Sequence, residues 1–174
     1  MTTEETHLNI LESREARQKK QSQIIATYGC PIISLTVNSP GAIKNNDCIK
    51  EVFMIGFSNL IKAAVIDNLP ILYSTLDTTK DTGPEAIIAI QCAASVIKVK
   101  CLELEQNHPL GRLWDADVIS ESSRAVNRQS LGFPPRKCFI CDEPAKMCAR
   151  NQSHSYKELT EKFHEIYKQY KHLR

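Results

Sequence analysis

Short apolar runs of strand character alternate along this chain with longer segments of helical period. That alternation narrows the possible folds more than any other property. Ile32–Val37 is rich in β-branched residues and lies between Pro31 and Pro40-Gly41, which predicts a buried strand followed by a turn. Through Asp47–Ile66 the residues Ile49, Val52, Phe53, Gly56, Leu60 and Ala64 recur at helical spacing, which predicts a long amphipathic helix. Residues 71–76 read as a second strand, closed by Asp81-Thr82-Gly83-Pro84, and residues 86–90 as a third. Residues 93–106 fit one helical face through Ala93, Ala94, Ile97, Cys101 and Leu104, but also alternate in part like a strand. Their length and the stop at Asn107-His108-Pro109 favour a helix. Residues 113–119 read as a strand and residues 124–130 as a shorter one. The last helix, Tyr156–His172, carries the stripe Leu159, Phe163, Ile166, Tyr167 and Tyr170. At the other end, Ser13-Arg14-Glu15-Ala16-Arg17 reads as part of a short polar helix ending near Tyr28-Gly29.

Up to residue 119 the order is β-α-β-β-α-β. The expected fold is therefore α+β: a split β-α-β (ferredoxin-like, palm-like) sheet with its helices on one face. The opposite face would be left for a ligand or for the C-terminal elements. A length of 174 residues suits one domain, 1–174. Its core would span about residues 30–130, followed by a cysteine-rich loop at 131–154 and a C-terminal helix at 155–173.

A formal charge of +2 gives no reason to expect a nucleic acid or a membrane as partner. The first twenty residues carry acids, then bases, and no apolar h-region, so they do not read as a signal peptide. Seven cysteines, an odd number, argue for reduced thiols, and the expected compartment is the cytoplasm.

Asp115 and Asp117 stand two apart on a strand, so their carboxylates share one face. Such a pair can be a solvated strand edge, or it can hold Mg²⁺, which takes oxygen ligands and bridges to phosphates. Arg112 and His108 just before it supply cations where a polyphosphate would need them. Cys138, Cys141, Cys148 and His154 have the spacing C-x2-C-x6-C-x5-H. They are either ordinary loop residues or the four ligands of a tetrahedral zinc. The remaining bases come in small groups. Arg14 and Arg17 lie on one helical face, Lys44 follows the Pro40-Gly41 turn, and Arg124, Arg128, Arg136 and Lys137 surround the last strand.

Three segments together carry a resemblance: Ser13-Arg14-Glu15-Ala16-Arg17, then His108-Pro109-Leu110-Gly111-Arg112-Leu113-Trp114-Asp115-Ala116-Asp117-Val118, then Leu131-Gly132-Phe133-Pro134-Pro135-Arg136-Lys137-Cys138-Phe139-Ile140-Cys141. Across residues 11–154 the chain resembles the holo-citrate lyase synthase (apo-citrate lyase phosphoribosyl-dephospho-CoA transferase) family, although Ala42 stands where a second proline is expected. The resemblance implies a nucleotidyltransferase-type reaction. The donor would be 2′-(5″-triphosphoribosyl)-3′-dephospho-CoA and the acceptor a serine on the acyl carrier protein, the γ subunit of citrate lyase, with diphosphate leaving. It further implies Mg²⁺ at Asp115 and Asp117 and substrate phosphates at Arg14, Arg17, Lys44, Arg112, Arg128 and Arg136. His108 is the expected proton acceptor, because an imidazole is suited to taking a serine proton near neutral pH. Glu103 or Glu105 would join the metal only if the preceding segment ends beside it. Two alternatives stay open: a nucleotidyltransferase for another carrier protein, and a non-enzymatic zinc-knuckle binding module.

Overall fold

The computed structural model describes the backbone of residues 3–173 and the side chains of residues 11–173. Met1, Thr2 and Arg174, the ends of the expected 1–174 domain, lie outside the described residues. The helices are α1 (Thr3–Tyr28), α2 (Asp47–Ile66), α3 (Ala94–Asn107), α4 (Ala145–Asn151) and α5 (Tyr156–His172). The strands are β1 (Ile32–Val37), β2 (Ile71–Asp77), β3 (Glu85–Ile90) and β4 (Trp114–Ile119). They form one antiparallel sheet in the order β2-β3-β1-β4.

Alternation along the strands sends two sets of side chains to opposite faces. Ile33 and Leu35, Ala86, Ile88 and Ile90, and Trp114, Ala116 and Val118 face one side. There they pack with Ile49, Val52, Phe53 and Leu60 of α2, Ile97 and Cys101 of α3, and Phe163 and Tyr170 of α5. The α2 stripe is the one its spacing predicts, and the helix begins at Asn46, whose side chain accepts from the Ile49 N–H. A capping box between Ser155 and Glu158 starts α5. On the other face Ile32, Ile87 and Ala89 meet Ile24 and Ile25 of α1. Covered on both sides, β3 is buried along its whole length, which accounts for its unbroken apolar run.

Three expectations need correction. The N-terminal helix is 26 residues long rather than short, because no glycine or proline interrupts it before Gly29, whose N–H donates to the Ile25 carbonyl. It also crosses the sheet face expected to be free, while α5 joins α2 and α3 on the other. Residues 124–130 are not a strand. They make a single bridge from Ala125 to Ile119 and then a 3₁₀ turn at Gln129–Leu131. Asn127 accepts there from the Gln129 N–H, and Ser130 Oγ donates to the Asn127 carbonyl, so local polar side chains replace a ladder. The cysteine-rich loop contains the short helix α4.

Candidate functional site: a cleft between the first helix and the sheet

The strand register lines up polar residues on the sheet face toward α1. Thr36 of β1 pairs with Glu85 of β3 on one side and Asp115 of β4 on the other. Ser34 pairs with Ile87 and Asp117 in the same way. The two aspartates thus stand on one face, as their spacing predicts.

Above them, α1 turns Arg14 and Arg17 toward the sheet, and a cleft of about 1050 Å³ opens between helix and strands. The hydroxyls of Ser13 and Thr82, 2.8 Å apart, and Gln21 Nε2 donating to Ser34 Oγ at 2.9 Å tie the helix down. One end of the cleft is closed by two turns. Lys44 Nζ donates to the Ser39 carbonyl at 2.6 Å, and Gly83, at φ +109°, passes so close that a Cβ would stand 3.0 Å from the Lys44 carbonyl oxygen. A smaller depression of about 490 Å³ continues past Asp117 and Ser34 and shares Arg14, Arg17, Thr36 and Asp115 with the first. Arg14, Arg17, Lys44 and Asp115 are thereby gathered into one cleft, with Asp117 in its extension. Burial and then the Arg14 charge lower the Lys44 ammonium from its ordinary value.

Glu85 is an acid of the cleft to which the sequence reading gave no role in the site. It is only 5% exposed and is held by Lys80 Nζ at 2.5 Å and by Arg17 Nε at 3.6 Å. A charge opening the otherwise apolar strand Glu85-Ala86-Ile87-Ile88-Ala89-Ile90 was the available signal, since such a residue is retained only with partners.

At the outer margin of β4, side chains take the place of a fifth strand. Lys98 Nζ donates to the Ala116 carbonyl at 2.9 Å, and the Ala116 N–H donates to Glu105 Oε1 at 3.3 Å. Arg136 donates to the Trp114 carbonyl. The same cations reach over to the aspartates, Lys98 to Asp117 at 3.9 Å and Arg136 to Asp115 at 3.6 Å, while Glu105 and Arg136 pair at 3.1 Å. Glu105 therefore ends beside the strand but is committed to the Ala116 N–H and Arg136. Burial raises its carboxyl above the usual range against the pull of Arg136 and Lys98. The Asp117 side chain is 67% exposed, and partial loss of hydration, then the Asp115 charge, move its carboxyl upward from the ordinary value.

The other predicted site residues lie elsewhere. His108 is on the far side of the sheet, its ring 4.6 Å from that of Trp114 and 5.6 Å from that of Tyr170, and its Nδ1 accepts from the Leu110 N–H. It does not meet the aspartates, because Trp114 and Asp115 are neighbours on a strand and point to opposite faces. Arg112 donates to the Lys137 and Cys138 carbonyls and lies over the Phe139 ring, so it fastens the cysteine loop rather than lining the cleft. Gly111 beside it allows the turn to touch α3, since a Cβ would stand 2.4 Å from the Glu105 carbonyl oxygen. Arg128 lies near Glu105 and Arg136 outside the cleft, with its Nε buried and unpartnered.

Cys138, Cys141, Cys148 and His154 do converge, with one ligand atom from each lying within 4.8 Å of the others. Cys141 Sγ is 3.4 Å from Cys148 Sγ and 3.3 Å from His154 Nε2. Tetrahedral zinc with bonds of about 2.3 Å to sulfur needs ligand atoms roughly 3.8 Å apart, so donor set and spacing fit that ion. Burial raises the Cys138 thiol, but the Ile140 and Cys141 N–H groups directed at its sulfur outweigh it and leave it below its ordinary value. Burial, followed by contacts with Cys141 and Cys138, pushes Cys148 up to about 11.

Paired carboxylates beside clustered cations in an open cleft equip an enzyme to move an anionic group, and this chain is a transferase. The family described as apo-citrate lyase phosphoribosyl-dephospho-CoA transferase matches residues 6–170, and the chain belongs to that family. The protein of that name from Escherichia coli O7:K1 (strain IAI39 / ExPEC) is 34% identical over 150 residues, which cover 86% of this chain and 81% of the relative. The one from Shigella boydii serotype 18 (strain CDC 3083-94 / BS512) is 33% identical with the same coverage. So is the probable apo-citrate lyase phosphoribosyl-dephospho-CoA transferase of Escherichia coli (strain K12 / MC4100 / BW2952). Among the described residues no helix is long and apolar enough to cross a membrane.

Proposed function

We propose that this chain transfers the 2′-(5″-phosphoribosyl)-3′-dephospho-CoA group from its triphosphate donor to a serine of the acyl carrier subunit of apo-citrate lyase. The observation that carries the reading is the meeting of Asp115 with Arg14, Arg17 and Lys44 in one cleft. The serine oxygen attacks the α-phosphorus, the bond to the β-phosphate oxygen breaks, diphosphate leaves, and the hydroxyl proton is released. Catalysis of this kind is mostly positioning and charge neutralisation. Arg14, Arg17 and Lys44 hold the polyphosphate, and the nucleophile comes from the acceptor.

Asp115 and Asp117 are the residues that would hold Mg²⁺, which when bound supplies neutralisation of phosphate charge. Cys138, Cys141, Cys148 and His154 would hold a structural zinc, since four protein ligands leave no open position for chemistry. We place the protein in the cytoplasm, where its seven free cysteines stay reduced.

The test is mass spectrometry of the apo carrier subunit after incubation with this chain, Mg²⁺ and the donor. One added phosphoribosyl-dephospho-CoA with an equal amount of diphosphate is expected; an unchanged mass overturns the proposal.

A further inference from the structure

Tyr156, the first residue of α5, borders the cleft with 76% of its surface exposed. Its ring stacks on no other ring among the described residues. Its position is nonetheless fixed. The Ser155–Glu158 capping box sets the start of the helix, and the Tyr156 carbonyl accepts from Thr160 Oγ1 at 2.7 Å. The 38–44 turn rests against that first turn, since a Cβ on Gly41 would stand 3.4 Å from Thr160 Oγ1.

Arg14, Arg17, Thr36 and Asp115 border both depressions and so mark their junction; Lys44 borders the larger one alone, and so do the apolar Leu11, Ala42 and Pro84 and the ring of Tyr156. Leu11 is itself 54% exposed, one helical turn before Arg14. The larger depression thus holds cations for an anion together with apolar groups and a flat aromatic face. A volume of about 1050 Å³ is at the upper end for a small-ligand site, enough for much more than a triphosphate.

We infer that Tyr156 is the stacking surface for a purine base, whose polyphosphate lies at Arg14, Arg17 and Lys44. This rests on the cleft being the donor site, and it adds which part of the donor the rim recognises. A base presents a π-face on which Tyr stacks, and covering the ring removes exposed apolar area. Tyr156 then acts on binding, not on the transferred phosphate.

The experiment is isothermal titration of the full chain with ATP and, separately, with inorganic tripolyphosphate, both with Mg²⁺. In the unsubstituted protein ATP binds more tightly than tripolyphosphate. Tyr156→Ala weakens ATP at least fivefold, roughly the lower end of one base stack, and leaves tripolyphosphate unchanged. Tyr156→Phe behaves as the parent, and thermal melting stays level because the ring is exposed. Equal weakening of both ligands, or no change in either, overturns the stacking role and leaves the polyphosphate site standing. If the parent protein binds neither ligand, the donor-cleft reading falls and the stacking role with it.

Discussion

Arg17 Nε stands 3.6 Å from Glu85 Oε2 at the floor of the cleft, with Lys80 Nζ on the other carboxylate oxygen. One buried acid thereby fixes a guanidinium that would otherwise sweep the cleft, and it leaves one net positive charge for a ligand. Glu85→Gln should loosen Arg17 and strand part of the Lys80 charge. We expect the KM for the donor to rise more than kcat falls. Stability should drop by about 1–3 kcal/mol, below the cost of breaking a fully buried pair because both cations keep some access to water. Steady-state kinetics and thermal denaturation together check it, and unchanged KM would show that Arg17 needs no anchor.

Asp115→Asn and Asp117→Asn preserve volume and remove charge from side chains that are half to two-thirds exposed. Transfer should fall at least about a hundredfold, the scale of one lost electrostatic contact in a transition state. The melting temperature should hardly move. Binding of Mn²⁺ followed by electron paramagnetic resonance should weaken in parallel; near-normal rates in both variants would return the pair to a solvated strand edge.

Protein purified without chelator should contain one zinc per chain. Cys148→Ser should lower metal content and melting temperature together, because binding free energy at a closed site is folding free energy. Elemental analysis beside a melting curve decides this: a folded, active chain with far less than one equivalent has no zinc knuckle.

Glu105 offers a pH test. Its carboxyl is raised by burial above its ordinary value, so the folded chain holds a proton there that the unfolded chain has already released. Stability attached to that proton is full below the ordinary glutamate value and is lost as pH rises through the raised one. Relative to Glu105→Gln, which can still accept from the Ala116 N–H, the parent should lose stability as pH climbs through that window. Denaturant titrations at stepped pH measure the difference; a constant gap would mean that Glu105 is ionised at no cost.

Much of this architecture is legible locally. The apolar strand runs, the α2 stripe and the Asn107-His108-Pro109 stop each depend on near neighbours, and so does the shared face of Asp115 and Asp117. The resemblance carried by residues 108–118 and 131–141 is borne out by the family match over residues 6–170. What the chain order hides is register. Glu85 joins Asp115 in one row only because Thr36 pairs with both, a relation among three strands that no local pattern encodes. His108 shows the converse: nearness in sequence to Asp115 counted for nothing once Trp114 turned the histidine to the other face. Arg112 reads as a phosphate ligand by its charge and its place in the 108–118 segment, and only the folded loop reveals the carbonyls to which it donates.

The side chains along β4 also decide how this molecule can meet others. Lys98, Glu105 and Arg136 occupy the outward backbone groups of Trp114 and Ala116, so no extended peptide can add itself to the sheet at that margin. Among the described residues the opposite margin, β2, pairs with β3 alone. Growth of the sheet by strand addition, whether with a partner or in aggregation, is directed to β2, which β3 and β1 separate from the strand that carries the aspartates. On the proposed function, a carrier protein that reaches Asp115 docks through side chains, and it can leave again without unzipping a ladder.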